Sequence, residues 1–205
     1  MDVVQTLEQE PDLEARGSTR PWWLLVLAGG LLGIVGTIWQ TVERLAFESG
    51  SAGVSFCEIN AAVSCSGVYS HWQSAALGVP NSLIGLPVFA VLVSAAVAAL
   101  LGSRHSGRYL VAVWGLALFM TAFATWYMQQ TAFTIGSLCV FCAASLVNIM
   151  IVGVGLTRVV EQEGALGDGR VGSRLTAMVG SQVDLALWLG LGMLVTAMLV
   201  VGLAW

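Results

Sequence analysis

YLVAVWGLALFMTAFATWYMQQTAFTIGSLCVFCAASLVNIMIVGVGLT, residues 109–157, runs for 49 positions without one charged side chain. A helix rises 1.5 Å per residue and a bilayer core is about 30 Å thick, so about 20 apolar residues make one crossing. The stretch is too long for one crossing and suits two. Its polar interruption, Gln129, Gln130 and Thr131 on to Gly136 and Ser137, is where the chain should turn. That reading puts spans at about 109–130 and 138–157.

The rest of the chain has the same character. Further charge-poor spans lie at about 21–42, where Trp22, Trp23 and Trp39 form interfacial belts, at 80–101 and at 185–205. Of the 205 residues 57% are hydrophobic and 10% charged, with mean hydropathy +0.84, against about 25% charge in soluble domains. A soluble globular domain is excluded. The charges are 12 acids and 8 arginines with no lysine, a net charge of -4, so there is no basic surface for nucleic acid.

The fold class expected is therefore an all-α integral membrane protein. It comprises the five transmembrane spans and a short interfacial helix in the loop 43–79. Residues 1–20, with Asp2, Glu8, Glu10, Asp12 and Glu14, read as a retained, disordered acidic tail and not as a cleaved signal. Residues 158–184, with Gly164, Gly167, Gly169 and Gly172, read as a flexible linker. The five spans contain no Asp, Glu, Lys, Arg or His.

Arginine sets the expected orientation. With the N-terminus cytoplasmic, Arg16, Arg20, Arg104, Arg108, Arg158, Arg170 and Arg174 lie inside and Arg44 alone outside. The loop 43–79 and the C-terminus then face outward in a multi-pass plasma-membrane protein. All four cysteines, Cys57 and Cys65 in the loop and Cys139 and Cys142 at the start of the fourth span, meet the oxidising side.

Cys139-Val140-Phe141-Cys142 puts two sulfurs on one helix face. A helix N-terminus stabilises the thiolate that attacks or leaves in disulfide exchange, and Ser137 is the expected N-cap. Such a pair also occurs as half of a metal site, for which the four cysteines and His71 would supply ligands, and Cys57 and Cys65 would equally serve as a loop staple. Val68, Tyr69, Trp72, Ala75 and Ala76 follow Cys65 at helical spacing and suggest an amphipathic helix roofing the bundle. Asn81, after Pro80, is either a helix cap or a carboxamide aimed at a ligand carbonyl. The rival reading is a non-enzymatic membrane protein, a small transporter or assembly subunit braced by static disulfides, although a transporter would be expected to bury charged groups in its spans and these spans carry none.

These motifs resemble the bacterial homologues of vitamin K epoxide reductase. The likeness rests on Cys57-x7-Cys65, Cys65-Ser66-x-Val68-x-Ser70, Gly78-Val79-Pro80-Asn81-Ser82-x-x-Gly85 and Ile135-Gly136-x-Leu138-Cys139-x-x-Cys142, spread over about residues 30–157. The resemblance implies that the first four spans, over 21–157, form a four-helix transmembrane bundle holding a quinone of menaquinone, ubiquinone or vitamin K type at its outer end, with the fifth transmembrane helix, 185–205, appended. It implies that Cys57 and Cys65 shuttle electrons, that Cys139 and Cys142 are the active-site pair, with Cys142 against the quinone, that Asn81 hydrogen-bonds a quinone carbonyl, and that Ser70 is the family's loop Ser or Thr. The implied activity is disulfide formation coupled to quinone reduction. No thioredoxin-like domain follows the fifth span in these residues, so the implied partner is a separate, external thioredoxin-fold (DsbA-like) protein. Where animal members have a tyrosine four residues after the second cysteine of the C-x-x-C, this chain has Leu146.

Overall fold

The computed structural model describes residues 19–51 and 57–204 with their side chains. The helices are α1 (Asp2–Glu48), α2 (Cys65–Tyr69), α3 (Asn81–Leu100), α4 (Gly107–Gln130), α5 (Val140–Gln162), α6 (Arg170–Gly180) and α7 (Val183–Leu203). A 3-10 turn, Trp72–Ala75, follows α2, and a π-helical stretch, Thr131–Ile135, extends α4. Five helices are long and apolar enough to cross a membrane, α1 counting from Thr19 and α4 including its π extension. The protein is an all-α multi-pass membrane protein. The expected acidic tail falls, except for Thr19 and Arg20, outside the described side chains.

Lipid tails are as apolar as leucine, so helices in a bilayer associate through close packing and buried polar contacts. The central pair is α1 against α5. Small residues let it close: a Cβ at Gly155 would sit 2.9 Å from the Trp22 carbonyl, and one at Gly29 3.1 Å from the Asn148 carbonyl. α3 packs on the other side of α1, where Gly30 faces Val93, and α4 packs on α5. α3 and α4 scarcely touch each other, which leaves a cleft between them.

Three expectations change. The α4 chain does not stop at Gln130 but widens into the π stretch, whose last carbonyls are turned by Gly136 in the left-handed region (φ 72°). Residues 158–184 are not a flexible linker: α5 runs on to Gln162, and α6 buries Leu175 and Val179. Span limits taken from charge also ended α5 too early and began α7 too late, because Arg158 and Asp184 lie inside those helices as a buried pair. Arg158 Nε donates to Asp184 Oδ2 at 2.7 Å and Nη2 to Oδ1 at 2.9 Å, with Nη2 also reaching Gln182 Oε1 at 3.1 Å. The guanidinium lies 5.3 Å from the Trp22 ring centroid. Asp184 sits in the first turn of α7, the helix end whose dipole favours a negative charge.

Removing one partner of such a pair strands the other charge in an apolar site, at a cost of about 3–5 kcal/mol, whereas replacing both with apolar groups is often neutral. Asp184→Ala should therefore lower the thermal midpoint in detergent, and Arg158→Leu/Asp184→Leu should recover most of the loss. A double variant as unstable as the single one would show that the pair contributes something other than charge compensation.

Candidate functional site

At one end of the bundle the segment before α2 and the segment before α5 pair through their backbones. Leu138 N–H donates to Ala62 O at 2.9 Å and Ser64 N–H to Leu138 O at 3.1 Å, which makes Val63 and Leu138 a parallel bridge. Ser137 is not the N-cap of α5. Its hydroxyl donates instead to Ser64 O at 3.1 Å, and the N-cap is Cys139 itself, with extended backbone (φ -92°, ψ 120°). The residues that pair are the immediate predecessors of Cys65 and Cys139.

This pairing sets two sulfurs against each other. Cys57 and Cys65 form a disulfide, and Cys139 and Cys142 are free thiols. Cys65 Sγ and Cys139 Sγ are 2.9 Å apart, and the sulfurs of Cys57, Cys65 and Cys139 lie within 4.8 Å of one another. Two of these three are spent on the disulfide, and His71 lies outside the cluster with its Nδ1 on Gly67 O at 2.9 Å. The arrangement is that of a thiol beside a disulfide it can exchange with. A hydrogen bond from Cys142 and the Cys142 and Phe141 amides of the helix start hold the Cys139 thiol below its ordinary pKa, against the effect of burial.

Cys142 lies one turn further in and lines a cavity of about 540 Å³, its open mouth included. The lining is largely apolar, with Val88 and Phe89 from α3, Met120 and Phe123 from α4, and Ile149 from α5. Polar side chains in the lining are Thr37, Gln40, Asn81, Ser82, Tyr127, Cys142 and Ser145. Asn81 is the first residue of α3, and its carboxamide reaches outward as well: Nδ2 donates to Gln73 O at 2.8 Å, and Oδ1 accepts from Ala76 N–H at 3.3 Å. It thereby fastens the 3-10 turn over the cavity. Ser70 is the C-cap of α2, exposed, donates to Gly67 O at 2.9 Å, and is not part of the lining. The helix expected after Cys65 is one turn of α-helix and then the 3-10 turn, with Val68 and Tyr69 buried and Trp72 exposed. Leu146 is buried on the face of α5 turned toward α7.

Sequence reasoning missed four contributors. Gln40 is buried in α1, and its Nε2 donates to Cys142 Sγ at 3.0 Å. Tyr127 lines the cavity from α4. Tyr69 is buried, and desolvation together with the charges of Cys139 and Cys142 raises its pKa, so it stays a neutral phenol. Arg44 donates to Tyr69 O, and to Ser74 Oγ at 2.7 Å, which ties the roof to α1. A polar residue in an apolar span was the available signal for Gln40.

Comparison with known families matches residues 23–156, well over half of the chain, to the vitamin K epoxide reductase family, and the chain belongs to that family. Comparison with curated proteins found no match. Family membership gives the protein a general oxidoreductase character, of the membrane thiol and disulfide kind, and the family is quinone-linked in general.

The start of α2 carries a pH-dependent clasp. Burial alone would raise the Glu58 carboxyl, but hydrogen bonds from the Ser64 hydroxyl and the Ser66 amide outweigh it and hold its pKa below the usual glutamate range. A depressed folded-state pKa adds stability that is complete above the ordinary glutamate value and is lost as pH falls through the folded value. The loop around Cys65 should therefore loosen only on acidification below the ordinary glutamate range. Glu58→Gln should abolish that acid transition, measured as amide hydrogen exchange at Ser66 and Gly67 across pH 3–7 (about the range of carboxylate titration). An unchanged acid transition in the variant would assign it to another group.

Proposed function

We propose, on the premise of this family membership, that the protein oxidises the dithiol of an external thioredoxin-fold protein and passes the electrons to a membrane quinone. The observation that carries this reading is the Cys65 to Cys139 contact of 2.9 Å, because it couples the loop disulfide to the C-x-x-C whose other cysteine, Cys142, lines the cavity.

The cavity suits a quinone. Its walls are apolar, its few polar groups converge near Cys142, and Ser145 contributes a buried hydroxyl oxygen with no hydrogen-bond partner. Asn81 and Cys142 are the residues assigned to hold it, and Ser70 supports the loop from outside the lining. When bound, a quinone supplies an acceptor for two electrons and two protons, and Cys139 and Cys142 are left as a disulfide.

The chain's own part is a sequence of exchanges, each a thiolate attacking a disulfide sulfur. A partner thiolate attacks Cys57, forms a mixed disulfide, and Cys65 leaves as thiolate. Cys65 attacks Cys139 of a Cys139 to Cys142 disulfide, and Cys142 leaves as thiolate beside the Gln40 amide, a donor aimed at the sulfur that takes the charge. The partner's second thiol attacks its own sulfur in the mixed disulfide and frees Cys57. Cys57 then attacks Cys65 and expels Cys139. One partner dithiol has become a disulfide, the loop disulfide is restored, and Cys139 and Cys142 are reduced. This end point corresponds to the bonding seen here, with the loop pair joined and the other two thiols free.

In Cys142→Ser the Cys139 thiolate can attack Cys65 of the loop disulfide and expel Cys57, but no Cys142 thiol remains to attack Cys139 in the resulting bond and form the Cys139 to Cys142 disulfide. A Cys65 to Cys139 disulfide should accumulate, and quinone reduction with a reduced thioredoxin-fold partner should fall to background. Mass spectrometry of non-reduced peptides reads the bond directly. Finding only the Cys57 to Cys65 bridge, with turnover near the parent's, would make the cysteines static braces.

The orientation carries its own test. In intact cells an impermeant maleimide should reach Ile59→Cys, at an exposed loop position, and reach Ser103→Cys, at an exposed position between α3 and α4, only after lysis. The reverse pattern would invert the topology.

A further inference from the structure

Hydroxyls inside transmembrane helices ordinarily satisfy themselves on the carbonyl one turn back, and this chain follows the rule repeatedly. Thr37 donates to Gly33 O at 2.8 Å, Thr121 to Ala117 O at 2.8 Å, Thr125 to Thr121 O at 2.8 Å and Thr157 to Gly153 O at 2.7 Å. Ser145 departs from it. Its Oγ is sealed from solvent, lies in the lining of the cavity, and has no hydrogen-bond partner, the Phe141 carbonyl one turn back included.

An unsatisfied buried hydroxyl costs stability, and alanine at the same place would avoid that cost. Ser145 stands three residues after Cys142, so the two share one face of α5 and are separated by about 4.5 Å along its axis. The wall around it, Phe89, Ile149 and the Tyr127 ring, is apolar or aromatic. Gln40 has already committed an N–H to Cys142 Sγ, and the Asn81 carboxamide is engaged at both ends by the roof. Ser145 is thus the hydroxyl of the lining, one turn from the reactive sulfur, that makes no hydrogen bond within the described residues.

We infer that Ser145 is a binding residue of the cavity, donating its hydroxyl hydrogen to a carbonyl oxygen of the bound ring system and fixing that ring against Cys142. The inference rests on the quinone reading above and deepens it. Asn81 then serves chiefly to hold the roof, and Ser145 supplies the inner recognition point. The hydrogen bond that Ser145 does not make within the chain is the one the ligand completes.

The test uses the full chain in detergent with menadione, a tailless naphthoquinone, and 2-methylnaphthalene, which keeps the rings and lacks the carbonyls. Affinities come from tryptophan quenching and calorimetry, and infrared difference spectra of bound menadione report hydrogen bonding at its carbonyls. Ser145→Ala should weaken menadione binding about 3- to 10-fold, the worth of one neutral hydrogen bond. It should also remove a down-shifted carbonyl band, leave 2-methylnaphthalene affinity unchanged, and not lower the thermal midpoint of the ligand-free protein. Ser145→Thr, which keeps a hydroxyl, should retain the band. If Ser145→Ala binds menadione as the parent does, with the same carbonyl spectrum, the assignment of Ser145 is overturned and the quinone reading stands. If the parent itself fails to bind menadione, the quinone reading falls and this inference with it.

Discussion

Leu138 exchanges backbone hydrogen bonds with Ala62 and Ser64, and the site depends on that short bridge. A loop disulfide tethered only by its own ring would meet Cys139 at random. Here each bridging segment ends one residue before a cysteine, so the ladder delivers Cys65 and Cys139 side by side. The clasp of Glu58 on Ser64 and Ser66, the Ser64 cap on Gly67 N–H at 3.0 Å and the Ser137 bond to Ser64 O all brace the same few residues. Rigid placement is what makes exchange between two particular sulfurs fast relative to exchange with any other thiol.

The two ends of the bundle are held by different physics. Opposite the cysteines, a buried bidentate ion pair and glycine-mediated contact between α1 and α5 fix the helices where hydrophobic burial gives little drive. At the cysteine end, backbone pairing, side-chain caps and the Arg44 anchor do the work, and the helices part to leave the cavity. The stable end lets the other end afford an unsatisfied hydroxyl, a free thiol pair and a cleft.

Much of the fold was legible because bilayer crossing imposes a length and forbids charge: five spans and an all-helical membrane protein follow from that rule. The family could be recognised because its cysteines and its Pro80-Asn81 turn keep fixed spacings. What the charge rule hid was charge itself, since Arg158 and Asp184 marked span ends in the sequence yet pair within the bundle. The linker was misread because glycines were weighed above the apolar face of α6. Gln40 could not be assigned a role because its partner, Cys142, is 102 positions away, and the cap of α5 was missed because Ser137 is drawn off to the loop. Ser145 shows only through the bond it does not make.

The near absence of contact between α3 and α4 has a consequence for how the cavity fills. For the proposed quinone, a cleft between α3 and α4 would offer entry sideways, from the hydrocarbon, without passage through water. The concentration that governs occupancy is then the mole fraction of the ligand in the bilayer and not its solubility, and a greasy tail left outside in the lipid costs nothing to accommodate. Selection among ring systems falls to the few polar atoms inside, while the membrane performs the first sorting by admitting only molecules that partition into it.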